Sequence, residues 1–335
     1  MLRYLVTGAG GFVGSHMIEL LKKGNNNIIR ATDLKDSKLT FSLAENIEIR
    51  SSDLTKPETL KGIAKDIDYV LNIASLFSYT APYDLMYKVN VEGAKNLCEE
   101  LIKSNVKKII HWSTCDVYGS PKKLPTTEEH PKNPENSYQK TKWEQEQLFM
   151  KYYKENGLPV IAIRPAPIYG PGNTYGFGST IFLLARGQIM GIPGNGKMRI
   201  PFVHVRDVCK SALHLIEHGK VGEAYNVVDD STYTVEELLK WAAPYLYTRI
   251  FNVHMSPKII IKIAELCTNL AKKANKKSPI ELDSAKYLEN DYWFSNEKLK
   301  GTGFTFEYPD PKKGLIETIE WYKKMGLIEK PLGYK

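Results

Sequence analysis

Hydrophobic and polar positions change period along this chain, and the changes mark out its elements. Residues 2–6 are a short apolar run, and residues 12–21 are amphipathic at helical spacing, with a glycine-rich turn between them. Residues 28–32 and 47–49 read as a second and a third strand. Two further apolar strands follow at 68–73 and 107–112, separated by a long helical stretch over 84–104. A helix over 137–155 then leads into a strand at 159–163. Continuous apolar strands alternating with helices predict the α/β class: a doubly wound parallel sheet of Rossmann type, covered on both faces.

After Arg164 the texture shifts. Pro and Gly cluster over 165–172 and again over 192–196, as loops leaving the carboxyl edge of such a sheet do. The remainder mixes strands (202–205, 224–228) with helices (208–218, 235–243, 257–274, 312–325) and lacks a clean βαβ rhythm. Residues 1–164 therefore form the expected nucleotide-binding domain. Residues 165–335 are mainly a smaller mixed α/β substrate cap, partly interleaved with it. Asn25, Asn26 and Asn27 read as a turn. The helix after Ser256, expected as its N-cap, carries Ile259, Ile260, Ile263, Leu266 and Leu270 on one broad face, with Lys272, Lys273, Lys276 and Lys277 beyond. Packing on the cap is the favoured reading of that face over a membrane surface.

Composition narrows the class. The chain has 335 residues, of which 42% are hydrophobic and 25% charged, ordinary values for a soluble globular protein. Its net charge of +8 is spread along the chain, so a lysine-rich surface is expected rather than a nucleic-acid site. Cys98, Cys115, Cys209 and Cys267 form no CxxC pair, which speaks against a metal site or a disulfide framework and for a reducing cytoplasm. No signal peptide is visible, and no apolar run reaches the roughly 20 residues of a spanning helix.

The candidate chemistry begins in the first turn, Thr7-Gly8-Ala9-Gly10-Gly11-Phe12-Val13-Gly14. Glycines let a pyrophosphate approach the backbone, where free N–H groups and the helix dipole hold its charge. Gly8, Gly11 and Gly14 fall three apart, which departs from the common dinucleotide spacing. Asp33 ends the second strand, placed to accept hydrogen bonds from adenosine ribose hydroxyls and to repel a 2′-phosphate, although Lys35 softens that preference. Asp53 and Leu54 lie within reach of an adenine. The small residues around Ala74 suit a backbone that passes close to a cofactor. The strongest signal is Thr114 after the fifth strand with Tyr138 and Lys142, four apart on one helix face. An ammonium beside a phenol lowers its pKa from about 10, so that Tyr138 can move a proton as hydride leaves for a nicotinamide. Thr114 would hold the same substrate oxygen.

Over nearly its whole length the chain resembles the extended short-chain dehydrogenases, also called the NAD-dependent epimerase/dehydratase family. The matching segments are the first turn, Ser113-Thr114-Cys115-Asp116-Val117-Tyr118-Gly119, Tyr138-Gln139-Lys140-Thr141-Lys142, Asn90-Val91-Glu92-Gly93, residues 164–172 and residues 202–208. The resemblance implies NAD as cofactor, Tyr138 as acid/base, Lys142 on the nicotinamide ribose and Thr114 on the substrate oxygen. It also accounts for the three-apart glycines. Phe12, Val13, Pro165 and Ile168 complete the expected cofactor contacts. The resemblance further suggests a homodimer through helices within 84–104 and 137–155.

The branch rests on departures from pattern. Nucleotide-sugar epimerases of this family usually carry Asn where Pro167 stands and Arg where Ile200 stands; Arg199 is one position off and could compensate. Residues 164–170 and 202–205 look more like the branch of 3β-hydroxysteroid dehydrogenases and dihydroflavonol reductases. Dehydratases carry an acidic pair where this chain has Cys115-Asp116, which counts against dehydration. The leading expectation is therefore an NAD-dependent oxidoreductase that interconverts a secondary alcohol and a ketone on an apolar or modestly polar small-molecule substrate. The alternative is a nucleotide-sugar epimerase with tightly bound NAD. A non-catalytic nucleic-acid binder on the same fold is a third reading, opposed by the intact Tyr and Lys.

Overall fold

Strands buried on both faces must lie inside a sheet, and the residues around Ile161 show this most clearly: Val160, Ile161, Ala162 and Ile163 are all fully buried. A computed structural model describes residues 1–24, 26–78, 80–274, 278 and 282–331 of the protein. Its main sheet is built from β1 (Leu2–Thr7), β2 (Asn27–Asp33), β3 (Ile47–Ser51), β4 (Tyr69–Asn72), β5 (Lys108–Trp112), β6 (Val160–Pro165) and β7 (Ala224–Val227). All are parallel, in the order β7-β6-β5-β4-β1-β2-β3. The expected doubly wound α/β class is what the chain adopts. Strand order reverses between β1 and β4, and the crevice at that switch point is where ligands bind in such sheets.

Helices Phe12–Leu21 and Val205–His218 cover one face, burying Met17, Ile18, Val208 and Leu215. Gly93–Leu101 and Ser137–Asn156 cover the other, burying Leu97, Leu101 and Phe149. The stretch expected as one helix over 84–104 is instead Tyr83–Tyr87, a π-helical turn Lys88–Glu92, and Gly93–Leu101. A further apolar cluster in the second half of the chain gathers Tyr169, Leu184, Phe202, Leu238, Ile319 and Tyr322. Two short strand pairs stiffen this part, Ile168–Tyr169 with Val203–His204 and Ile192–Pro193 with His254–Met255.

The interleaving is extensive. β6 runs to Pro165, so a division at residue 164 cuts a strand. β7 and the helix Val205–His218 both return to the main sheet from the second half of the chain. The expected strand at 202–205 is shorter, because His204 accepts a hydrogen bond from the Arg206 N–H and caps a helix starting at Val205.

Two local expectations are corrected. Asn136, not Ser137, caps the helix of Tyr138: its side chain accepts from the Gln139 N–H, and the Gln139 side chain accepts from the Asn136 N–H in return. The helix Pro257–Lys273 does not bury its apolar face on the cap. Ile259, Ile263, Leu266 and Leu270 are exposed, while Ile260 is half-buried and Ala264 is fully buried. Ser256 makes no side-chain capping bond there. Asn25, Lys276 and Lys277 lie outside the described residues.

One buried ion pair ties the helix Ser137–Asn156 to the sheet. Arg164, at the end of β6, donates through Nε and Nη2 to both carboxylate oxygens of Glu146 and through Nη1 to the Tyr118 hydroxyl. Both charges are almost fully buried. Breaking such a pair strands a charge in the interior. Glu146→Ala should therefore lower unfolding free energy by about 3–5 kcal/mol in chemical denaturation, against under 1 kcal/mol for an exposed pair such as Lys151–Glu155.

Candidate active site

The first turn is shaped by close approach. Gly8 has φ +66°, and a Cβ there would stand 2.9 Å from the Ala74 Cα. A Cβ on Gly14 would stand 2.0 Å from the Gly8 carbonyl oxygen. The helix from Phe12 begins at Gly11, which offers no side chain to its first-turn N–H groups. These groups open onto a cleft of about 760 Å³ at the switch point. Every residue expected to touch the cofactor lines that cleft. Gly8, Gly11, Phe12, Val13 and Gly14 form its floor, Asp33, Asp53 and Leu54 one end, and Ala74, Pro165 and Ile168 its walls.

The cradle fits a dinucleotide. Asp33 accepts from the Gly10 N–H through Oδ2 (2.8 Å) and from the Leu34 N–H and Ser37 hydroxyl through Oδ1. It thus braces the glycine turn while facing the cleft. Asp53 accepts from the Thr55 N–H and hydroxyl, and its carboxyl is held below the usual range by Thr55 and Lys56 despite partial burial. Thr7 holds the other wall: its hydroxyl accepts from the N–H groups of Ile73 and Ala74 and donates to Asn72.

At the far end Thr114, Tyr138 and Lys142 line the same cleft. The Thr114 hydroxyl accepts from the Asp116 N–H, which fixes its rotamer at the head of a short turn, Cys115–Tyr118. Tyr138 and Lys142 are buried on one helix face. Lys142 Nζ donates to the Trp112 carbonyl (2.7 Å) and to Gln145 Oε1. Burial brings its pKa down to about 7. The expected lowering of the Tyr138 pKa is not found. Burial, then Asp116 and Tyr175, push the phenol upward, while the Lys142 ammonium is engaged by Trp112 and Gln145.

Several residues at this end carried no sequence signal. Phe77 packs edge-on against Tyr138 (4.9 Å between centroids) and tilted against Tyr175 (5.6 Å), which meets Phe12 at 6.3 Å. These rings form an aromatic wall over the acid/base end. Asn173 holds the Tyr175 loop, donating to the Ile168 carbonyl at 2.7 Å, and its own carbonyl accepts from the Tyr322 hydroxyl. Only the Pro/Gly-rich texture around it pointed there. Asn90, by contrast, opens the matched segment Asn90–Gly93 and lies in the π-helical turn; it bonds both backbone groups of Leu76 and the Thr141 hydroxyl, locking the Phe77 loop to the helix Ser137–Asn156.

Asp116 and Cys115 part company. The Cys115 thiol is buried and donates to the Arg164 carbonyl, and burial holds it far up in its protonated form. Asp116 lines the cleft, with its carboxyl pushed up to about 6 by burial, partly offset by a hydrogen bond from Tyr287. Tyr287 in turn accepts from Gln139, the residue that completes the helix cap. Arg199, the candidate to replace a missing diphosphate ligand, pairs with Asp291 and stacks on Trp293 away from the cleft lining.

The comparisons agree with this geometry. The family described as "NAD dependent epimerase/dehydratase family" matches residues 4–228. The chain belongs to the NAD-dependent epimerase/dehydratase family. It is 28% identical to the dTDP-D-glucose 4,6-dehydratase of Bos taurus over 96% of this chain and 89% of that protein. It is 27% identical to the N-acetyl-alpha-D-glucosaminyl-diphospho-ditrans,octacis-undecaprenol 4-epimerase of Escherichia coli O157:H7, over 95% and 94%. Among solved structures, the UDP-glucose 4-epimerase of Thermotoga maritima with UDP-glucose superposes with a TM-score of 0.78 at 26% identity, over 97% and 99%. The protein is thus an NAD-dependent enzyme of the extended short-chain dehydrogenase type, and among its described residues no helix is long and apolar enough to cross a membrane.

Two outcomes follow for this family member. Gly14→Ala should abolish NAD binding in calorimetry, since the added Cβ collides with backbone that cannot yield. Asp116 has a folded pKa above its unfolded value of about 3.9, so its ionisation destabilises the fold above pH about 6 and costs nothing below the unfolded pKa. Asp116→Asn should therefore stabilise the protein by about 2 kcal/mol at pH 7.5, a gain that shrinks toward pH 4 in thermal unfolding.

Proposed function

We propose that the protein is a sugar epimerase acting on a secondary hydroxyl of a glycosyl diphosphate. What carries this reading is that relatives spanning nearly the whole chain are named for such substrates, while Thr114, Tyr138 and Lys142 face one cleft. NAD, held by the glycine turn and Asp33, would supply the hydride acceptor and donor for the sugar carbon. Tyr138 takes the hydroxyl proton and gives it back, Thr114 holds the oxygen, and Lys142, steadied by Trp112 and Gln145, would meet the nicotinamide ribose. The Phe12, Phe77 and Tyr175 rings, tilted against one another, offer an apolar wall beside which a sugar ring can turn over. Dehydration is disfavoured, because only Asp116 of the Cys115-Asp116 pair reaches the cleft. A homodimer through the helices Gly93–Leu101 and Ser137–Asn156 belongs to the same reading, supported by exposed Leu85 and Tyr87 just before them.

A net dehydrogenase for an apolar alcohol is the second reading. The aromatic wall favours it, as does a described cleft lining that contains Lys38, Lys88 and Lys142 but no arginine for a substrate diphosphate. The two differ in redox balance. Incubated with NAD and UDP-glucose or UDP-N-acetylglucosamine, the enzyme should yield the C4 epimer of unchanged mass with no net nicotinamide reduction. Tyr138→Phe should lower the rate by about 10²–10⁴ while retaining NAD binding. Stoichiometric nicotinamide reduction, or loss of water from the sugar, would overturn the proposal.

A further inference from the structure

The helix Pro257–Lys273 exposes a stripe that the catalytic reading does not use. Ile259 (52% exposed), Ile263 (42%), Leu266 (59%) and Leu270 (56%) recur at four, three and four residues, which places them on one line along the helix. The opposite side is the packed one, where Ala264 is fully buried. At 100° per residue, Lys258, Lys262 and Lys273 flank the stripe on one side, all exposed, with Lys272 further round. Glu265 is the single acid on the helix. The apolar surface extends along the chain into the segment before the helix, where Phe251 (55%), Val253 (61%) and Met255 (39%) are exposed at alternate positions.

We propose that this stripe, with its lysine flank, docks the enzyme onto the surface of an anionic lipid bilayer. The four large aliphatic residues would enter the boundary of the acyl layer, and the lysines would meet the headgroup charge. Charge decides against an antiparallel second copy of the chain. An antiparallel two-fold pairing of the stripe sets the lysine flank against its own copy, and Glu265 alone cannot receive it. An anionic bilayer supplies both an apolar layer and the opposite charge, and the net charge of +8 acts in the same sense. The proposal concerns where the protein works and stands whichever substrate the cleft takes.

The test is co-sedimentation of the full-length protein with vesicles of roughly one-third phosphatidylglycerol in phosphatidylcholine, beside pure phosphatidylcholine vesicles. Partitioning should favour the anionic vesicles by about tenfold or more and fall as salt is raised. The double changes Ile263→Ser with Leu266→Ser, and Lys258→Glu with Lys262→Glu, should each lower it by about tenfold. All four side chains are exposed, so circular dichroism and the thermal midpoint should stay unchanged. Partitioning that ignores lipid charge or both sets of changes overturns the proposal. So does a concentration-dependent dimer, abolished by the same changes, in a protein that does not bind vesicles.

Discussion

The reaction end of the cleft depends on one buried amide. Asn90 is wholly buried, with its oxygen on the Leu76 N–H and its nitrogen shared between the Leu76 carbonyl and the Thr141 hydroxyl. Each bond is worth only about 1 kcal/mol net, but a buried partner left unmade costs about 1–3 kcal/mol, so the three are held together. They fix the loop that carries Phe77 against the helix that carries Tyr138 and Lys142. The π-helical turn Lys88–Glu92, with its extra residue in the ladder, carries this side chain, a common use of such turns. The cap box below the same helix, the Arg164–Glu146 pair above it and the Asn90 amide beside it leave the catalytic helix little freedom to shift.

That rigidity has an electrostatic counterpart. Burial drives Asp116 and Lys142 toward their neutral forms from opposite directions, to about 6 and about 7. Both groups thus change charge close to neutral pH, in a site where the phenol of Tyr138 is itself pushed upward. Dry surroundings accomplish this here without a metal-ligand cluster of three or more His, Cys, Asp or Glu among the described residues.

Much of this was legible in the residues. Strands such as β6 announce themselves because burial on both faces demands unbroken apolar runs, and Tyr138 with Lys142 because a helix puts positions four apart on one face. The glycines were readable, as Gly8 and Gly14 occupy places where a Cβ has no room. What escaped notice depends on contacts between distant segments. Phe77 and Tyr175 stand almost a hundred residues apart and become a wall only when the Asn173 loop is held down by Tyr322. The caps show a subtler limit: Asn136 and Ser137 are both good capping residues, and the reciprocal bond to Gln139 selects the former. The helix from Pro257 was misread because amphipathicity reports that one face is apolar and not what covers it. The division at residue 164 had the same weakness, since no local pattern says that β7 will return to the sheet.

That return bears on how the protein is made. β6 has a parallel neighbour on each side, β5 and β7, yet β7 lies some sixty residues later in the chain. On a ribosome releasing about 5–20 residues per second, the apolar edge of β6 waits several seconds for its partner and for the helix Val205–His218 that covers it. An unpaired apolar edge is an invitation to other chains. The nascent first half, although it already holds the glycine turn and the catalytic helix, is in that interval a half-built sheet that a chaperone would recognise.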